Sequence, residues 1–151
     1  MNRPAAALAS AAALFFVLPL AGLLGRVSWG TLGADLSSGA ARDGLWLSLV
    51  CSVGATVLSA IGGLPLAWVL ARMRFPGRSL LRGLVLLPLV LPPVVGGVAL
   101  LSAFARRGFV GARLYDWFGV QLTFTTAGAM LAETFVAMPF FVLAAEAGFR
   151  S

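Results

Sequence analysis

Hydrophobic and polar positions divide the chain into four long apolar runs, separated by short stretches that hold nearly all of its charge. The runs are Ala5 to Gly25, Leu45 to Ala71, Gly83 to Ala105 and Leu122 to Ala145, the last interrupted by Glu133. Each reaches the roughly 20 residues that an α-helix needs to cross the hydrocarbon core of a bilayer. The pattern therefore predicts an all-α integral membrane protein with four transmembrane helices. The first run also fits the apolar core of a secretory signal peptide with Arg3 as its charged start, although three more spans follow it. The second run, at 27 residues, is longer than a perpendicular crossing requires. It has room for tilt, and Pro65 near its end predicts a kink.

The third run has an unusual interior. Within LPLVLPPVVGG, from Leu87 to Gly97, stand Pro88, Pro92, Pro93, Gly96 and Gly97. A proline lacks the N–H that an α-helix needs and its ring collides with the carbonyl one turn back. At bilayer depth such a break is tolerated where it faces protein or a wet cavity rather than lipid. These five residues are therefore candidate hinge and path positions, and a transport path is the first functional expectation. On the second run, Ser48, Ser52, Ala55, Ser59 and Gly63 recur at helical spacing along one face. Small residues let another helix approach closely, which is how helices associate in lipid. Between the third and fourth runs, GFVGARLYDWFG (Gly108 to Gly119) predicts a short surface helix whose Tyr115, Trp117 and Phe118 suit a membrane interface.

Composition sharpens the class. Of 151 residues, 60% are apolar and 11% charged, against about a quarter charged in soluble domains. The net charge of +6 comes from arginines clustered between apolar runs, and no lysine is present. Retention beside anionic lipid headgroups accounts for that pattern without nucleic acid. Without lysine the P-loop pattern cannot be built, so an ATP-driven role requires a partner ATPase. With no histidine, five acidic residues and one cysteine, Cys51, an intrachain disulfide is impossible and a metal or haem centre is not expected. No nucleophile, base and orienting group can be assembled, so neither catalytic residues nor a cofactor are expected.

Arg72, Arg74, Arg78 and Arg82 fall within eleven residues, the densest basic stretch of the chain. This places the link between the second and third runs in the cytoplasm, and with it the N-terminus, Arg3 and the C-terminus. The links holding Arg26 and Arg42, and Arg106, Arg107 and Arg113, then lie outside. Glu133 is the one ionisable residue in the middle of a span. A charge there costs roughly 2.5–3.5 kcal/mol on insertion scales, so it is expected either to tie the fourth helix to a neighbour or to line a path. Glu146 lies thirteen residues farther on, about 20 Å along a helix. The two carboxylates cannot share a proton. Glu146 reads as a solvated residue near the inner surface, paired with Arg150 four positions on. Arg106, Arg107 and Arg113 could attract an anion or dock an acidic protein, or be ordinary loop charges.

Four strings, ARMRFPGRSLL (Ala71 to Leu81), LPLVLPPVVGG, GFVGARLYDWFG and LAETFVAMPFFV (Leu131 to Val142), resemble in order and spacing the permease subunits of bacterial molybdate-type ABC importers, with sulfate and tungstate permeases as close relatives. The resemblance covers about Leu45 to Ser151. It implies a type I importer fold in the bacterial inner membrane, with a variable N-terminal helix and outer loop over residues 1–44 and part of the permease domain over 45–151. It also implies a second permease subunit, two cytoplasmic ATPases and an extracytoplasmic oxyanion-binding protein as partners, with transport by alternating access. In the family a cytoplasmic Glu-Ala-Ala coupling loop and two further spans follow, so the resemblance implies an incomplete permease. A stand-alone four-helix membrane scaffold, or a small proton-coupled transporter using Glu133, are the alternatives.

Overall fold

The computed structural model describes residues 3–150; Met1, Asn2 and Ser151 lie outside it, as does the side chain of Arg3 that entered the orientation argument. Every regular element among the described residues is helical. The chain divides into two units, Met1–Gly44 and Leu45–Ser151.

In the first unit, α1 (Arg3–Gly25) runs through Pro19, and its large side chains, Phe15 and Phe16 among them, are exposed. A helix that is apolar all round is suited to lipid. The short α2 (Leu32–Ser37) follows. Ser38 then accepts a bond from the Ala41 N–H through its Oγ at 3.2 Å, capping the next helix. That helix, α3 (Gly39–Arg72), starts earlier than the apolar run, because Gly39–Gly44 is polar yet helical. At 34 residues it is about 51 Å long, and it continues through Pro65.

The second unit is built on α3 and α7 (Thr126–Arg150). They run side by side in the same direction: Gly54 approaches Met130, Gly62 approaches Met138, and Gly63 approaches Phe141 and Val142. A Cβ on Gly63 would lie 2.7 Å from Phe141 Cδ1, so the absent side chain is what admits the ring. The buried face of α3 is Cys51, Ala55, Ser59, Gly63, Ala67 and Leu70. This bears out the small-residue face at Ala55, Ser59 and Gly63 and rotates it away from Ser48 and Ser52, which are exposed. At the far end Ala67, Leu70 and Val142 form the buried core, with Leu81, Val85, Met138 and Phe149 packed around it. Elsewhere the unit presents Leu, Val, Phe and Trp outward, the arrangement expected when the solvent is hydrocarbon.

The third run departs from a straight span. It forms α4 (Arg78–Val90) and α5 (Pro93–Phe104), bent by 115° at the break between them. Leu91 and Pro92 both adopt extended backbone, with ψ of 135° and 139°, because a residue that precedes proline is pushed out of the helical region. Alone, α4 is only about 20 Å long. Three helices are therefore long and apolar enough to cross a membrane, and the bent pair supplies a broken fourth span or a re-entrant turn. The last run also shifts: Leu122–Thr125 is not helical, and Thr125 Oγ1 accepts the Gly128 N–H at 3.2 Å to start α7.

Candidate functional site: a bent helix pair, a groove and a charged knot

The bend assembles the hinge candidates. Pro88 stays within α4; Pro92 and Pro93 form the break and the first residue of α5. Gly96 is buried against α7, where an added Cβ would sit 3.4 Å from Phe135 Cε1, whereas Gly97 has open space above it. Two apolar cavities flank the pair. One of about 300 Å³ is lined by Pro88, Leu100, Phe135 and Pro139, and one of about 250 Å³ by Gly97, Phe104, Phe124 and Gly128. The sequence expectation of a broken helix beside a cavity is met in shape, and both cavities are almost wholly apolar.

The bend can be tested directly. Pro92→Ala combined with Pro93→Ala restores two N–H groups and frees Leu91 to become helical. Spin labels at positions 84 and 101 should then move apart toward the roughly 26 Å of a continuous helix. An unchanged distance would show that packing against α7, not the proline pair, holds the bend.

Glu133 lies on a different face. It is exposed and lines an open groove of about 600 Å³ between α3 and α7, with Ser52, Ala55, Thr56, Val136 and Phe140. No hydrogen bond or ion pair engages it among the described residues. The nearby hydroxyl of Thr56 is spent on the Ser52 carbonyl at 2.8 Å. A tie from Glu133 to a neighbouring helix is therefore not made among the described residues.

Arg106 and Arg113 hold aromatic rings: the Arg106 guanidinium sits 4.1 Å from the centre of Tyr115, and that of Arg113 4.5 Å from the centre of Phe109. Arg107 is exposed. Arg106 and Arg107 precede α6 (Gly111–Phe118) and Arg113 lies within it; the helix is a single amphipathic piece that ends where Gly119 turns left-handed at φ 67°. Trp117 and Phe118 project outward, and Phe124 is 99% exposed with a positive φ of 60°, a conformation disfavoured for a side chain of this size.

The strongest polar feature centres on Glu146, a residue whose sequence position predicts solvation. Glu146 is only 2% exposed. Its Oε2 accepts Arg82 Nη2 at 2.5 Å, its Oε1 accepts Arg150 Nη2 at 2.5 Å, and Arg78 Nη2 stands 3.9 Å away. Arg78 also donates to the Leu70 carbonyl at 2.5 Å, satisfying an acceptor in the last turn of α3. One carboxylate thus joins the start of α4 to the end of α7, with α3 tied in through Arg78. The pairing with Arg150 is as its spacing predicts; the burial and the long-range partner Arg82 make Glu146 a structural residue and not the solvated one its sequence position suggests. Only the i,i+4 spacing to Arg150 was visible in sequence, since Arg82 is 64 residues away.

No group of three or more carboxylate, Cys or His side chains converges among the described residues. The knot brings the arginine-rich turn after α3 and the C-terminal end of α7 together.

No family model matches the chain. Individual proteins do. The molybdenum transport system permease protein of Mycobacterium tuberculosis is 42% identical over 143 residues, 95% of this chain and 54% of that protein. Its counterpart in Escherichia coli is 44% identical over 106 residues, covering 68% of this chain and 46% of the relative. The sulfate transport system permease protein of Escherichia coli is farther off, at 35% over 132 residues, 85% of this chain and 47% of the relative. The chain spans about half the length of these curated relatives. Along 95% of its length the chain is similar to a molybdenum transport system permease protein, and its apolar helices agree with that likeness over the half of the relative that it spans.

Proposed function

We propose that this chain forms part of the membrane permease of an ATP-driven oxyanion importer, with molybdate as the substrate. The observation that carries the reading is the 42% identity to a molybdenum permease along 95% of the chain, well above the 35% to a sulfate permease. A stand-alone scaffold or a proton-coupled transporter is not favoured by relatives of this kind. The role is transport rather than covalent catalysis, with ATP hydrolysed by two cytoplasmic partner subunits and the oxyanion delivered by an extracytoplasmic binding protein.

In this reading the protein sits in the bacterial inner membrane with the arginine turn and the N-terminus inside, supported by the density of Arg72, Arg74, Arg78 and Arg82. A second permease copy completes the path. The Pro88, Pro92, Pro93, Gly96 and Gly97 segment bends the helix beside that path, allowing alternating access through movement of α5 on α4. Glu133 faces the rest of the assembly from the α3–α7 groove, where a hydrogen-bond donor keeps it neutral or paired; a bare carboxylate in the path would repel an oxyanion. Arg106, Arg107 and Arg113 lie on the outer face, where Arg107, free of a ring contact, offers charge to an acidic rim of the binding protein.

Deleting the gene that encodes this chain should reduce uptake of radiolabelled molybdate at low concentration to the level of energy-depleted cells, and re-expression should restore it. Retained high-affinity molybdate uptake in the deletion strain, alongside lost uptake of another oxyanion, would reassign the substrate. Retained uptake of every oxyanion tested would overturn the importer reading.

A further inference from the structure

The charged knot has more positive charge than its fold requires. Arg78, Arg82 and Arg150 converge on the single carboxylate of Glu146, leaving two positive charges unmatched. Like charges gathered on one acceptor repel one another, by an amount that grows as the local dielectric falls. Water reaches the partly exposed guanidinium groups and moderates this repulsion, and a second anion would offset it further. Space for it exists: a polar pocket of about 540 Å³ is walled by Ala71, Arg78, Ser79, Arg82 and Arg150.

The donors suit a phosphate. Each guanidinium carries five N–H groups in a planar fork, and Arg82 and Arg150 each reach Glu146 through Nη2. Forks of this kind match the oxygens of a phosphate and form charge-assisted bonds. Ser79 adds a hydroxyl to the same wall. The pocket also adjoins the first turn of α4, whose N-cap Gly77 has no side chain to satisfy it, so the positive end of the helix dipole adds to the field. Its position matters as well. It lies where α3, α4 and α7 all reach their polar ends, the level at which phospholipid headgroups sit.

We propose that the pocket formed by Arg78, Ser79, Arg82 and Arg150 binds a tetrahedral phosphate-type anion, supplied by an anionic phospholipid headgroup or by free phosphate. The anion completes the charge balance of the knot and fastens α4 to α7. This site is separate from the α4–α5 bend and does not depend on which oxyanion is transported.

The test uses the full chain purified in a zwitterionic detergent. Thermal unfolding is followed as inorganic phosphate, or phosphatidylglycerol against phosphatidylcholine in mixed micelles, is titrated in. Saturable stabilisation by phosphatidylglycerol or by phosphate, absent with phosphatidylcholine, is expected, and whichever probe acts identifies the source. Arg150→Gln leaves the Arg82–Glu146 pair in place and should weaken apparent affinity about tenfold, while Arg150→Lys should recover part of it. Arg74→Gln removes a nearby charge outside the pocket and should change little. Equal losses in Arg74→Gln and Arg150→Gln would reduce the effect to general surface attraction and overturn the site. So would the absence of saturable stabilisation by either probe in the unsubstituted chain. Should Arg150→Gln fail to fold, Ser79→Ala provides the second variant: an affinity unchanged by it and by Arg78→Gln would equally overturn the site.

Discussion

Glu146→Ala should destabilise the Leu45–Ser151 unit by about 2 kcal/mol. Removing one partner of a fully buried ion pair typically costs about 3–5 kcal/mol, but the three arginines are partly exposed and water moderates their repulsion. What remains after the substitution is three guanidinium groups facing a small cavity with no internal counter-ion. The loss should appear in denaturation of the chain in micelles, together with faster hydrogen exchange at the start of α4 and the end of α7. A double-mutant cycle separates the contact from simple truncation: Arg82→Ala should cost much less in the Glu146→Ala background than in the original chain. A change below about 0.5 kcal/mol, the usual effect of altering a surface residue, would return Glu146 to the solvated role that its sequence position suggests.

Gly111→Ala is the second large effect, and it acts at the other end of the unit. An added Cβ would stand 2.1 Å from the Ala105 carbonyl oxygen and 2.4 Å from that of Phe104. Both obstacles are backbone, so no rotamer change relieves them. The segment is also pinned by the Val110 N–H donating to the Ala103 carbonyl at 2.8 Å and the Gly108 N–H to the Ala105 carbonyl at 2.7 Å. The extra methyl should therefore cost about 3 kcal/mol, the upper part of the overpacking range, chiefly by lifting α6 away from the end of α5. Trp117 fluorescence and proteolysis between residues 105 and 120 would register the release. Gly83→Ala is the matched control, because nothing lies within 4 Å of the new Cβ and a helix interior favours Ala over Gly. Similar losses for both variants would show that the clash is not the cause.

The two variants also mark different depths of legibility. GFVGARLYDWFG was readable as a surface helix because its aromatic and charged residues alternate around a short helical turn. That Gly108 and Gly111 are needed for close approach to the end of α5 was not, since nothing in the local sequence records which backbone comes near. Likewise, Ala55, Ser59 and Gly63 announced a close helix contact through their spacing alone. The partner, α7, and the rotation that buries Cys51 and exposes Ser52 depend on where Met130, Met138 and Phe141 lie.

Charge was legible in amount and misread in place. The arginine density after α3 and the i,i+4 spacing of Glu146 and Arg150 gave one membrane face and one ion pair. Burial of Glu146 required α4 to return along α7 and bring Arg82 across 64 residues. Glu133 differs: its position in mid-span suggested either a tie between helices or a place on a path, and it lines a groove with no partner among the described residues.

By itself the sequence determined the solvent of this protein, the number of apolar segments and the place where one of them must break. These follow from local chemistry: the transfer cost of each side chain, and prolines that lack a hydrogen and exclude helical backbone before them. Only the tertiary structure decided that the third segment bends by 115°, that α3 and α7 run in parallel, and that one buried carboxylate gathers three arginines. Those outcomes rest on long-range packing and charge pairing, whose partners are fixed by the path of the whole chain rather than by any segment of it.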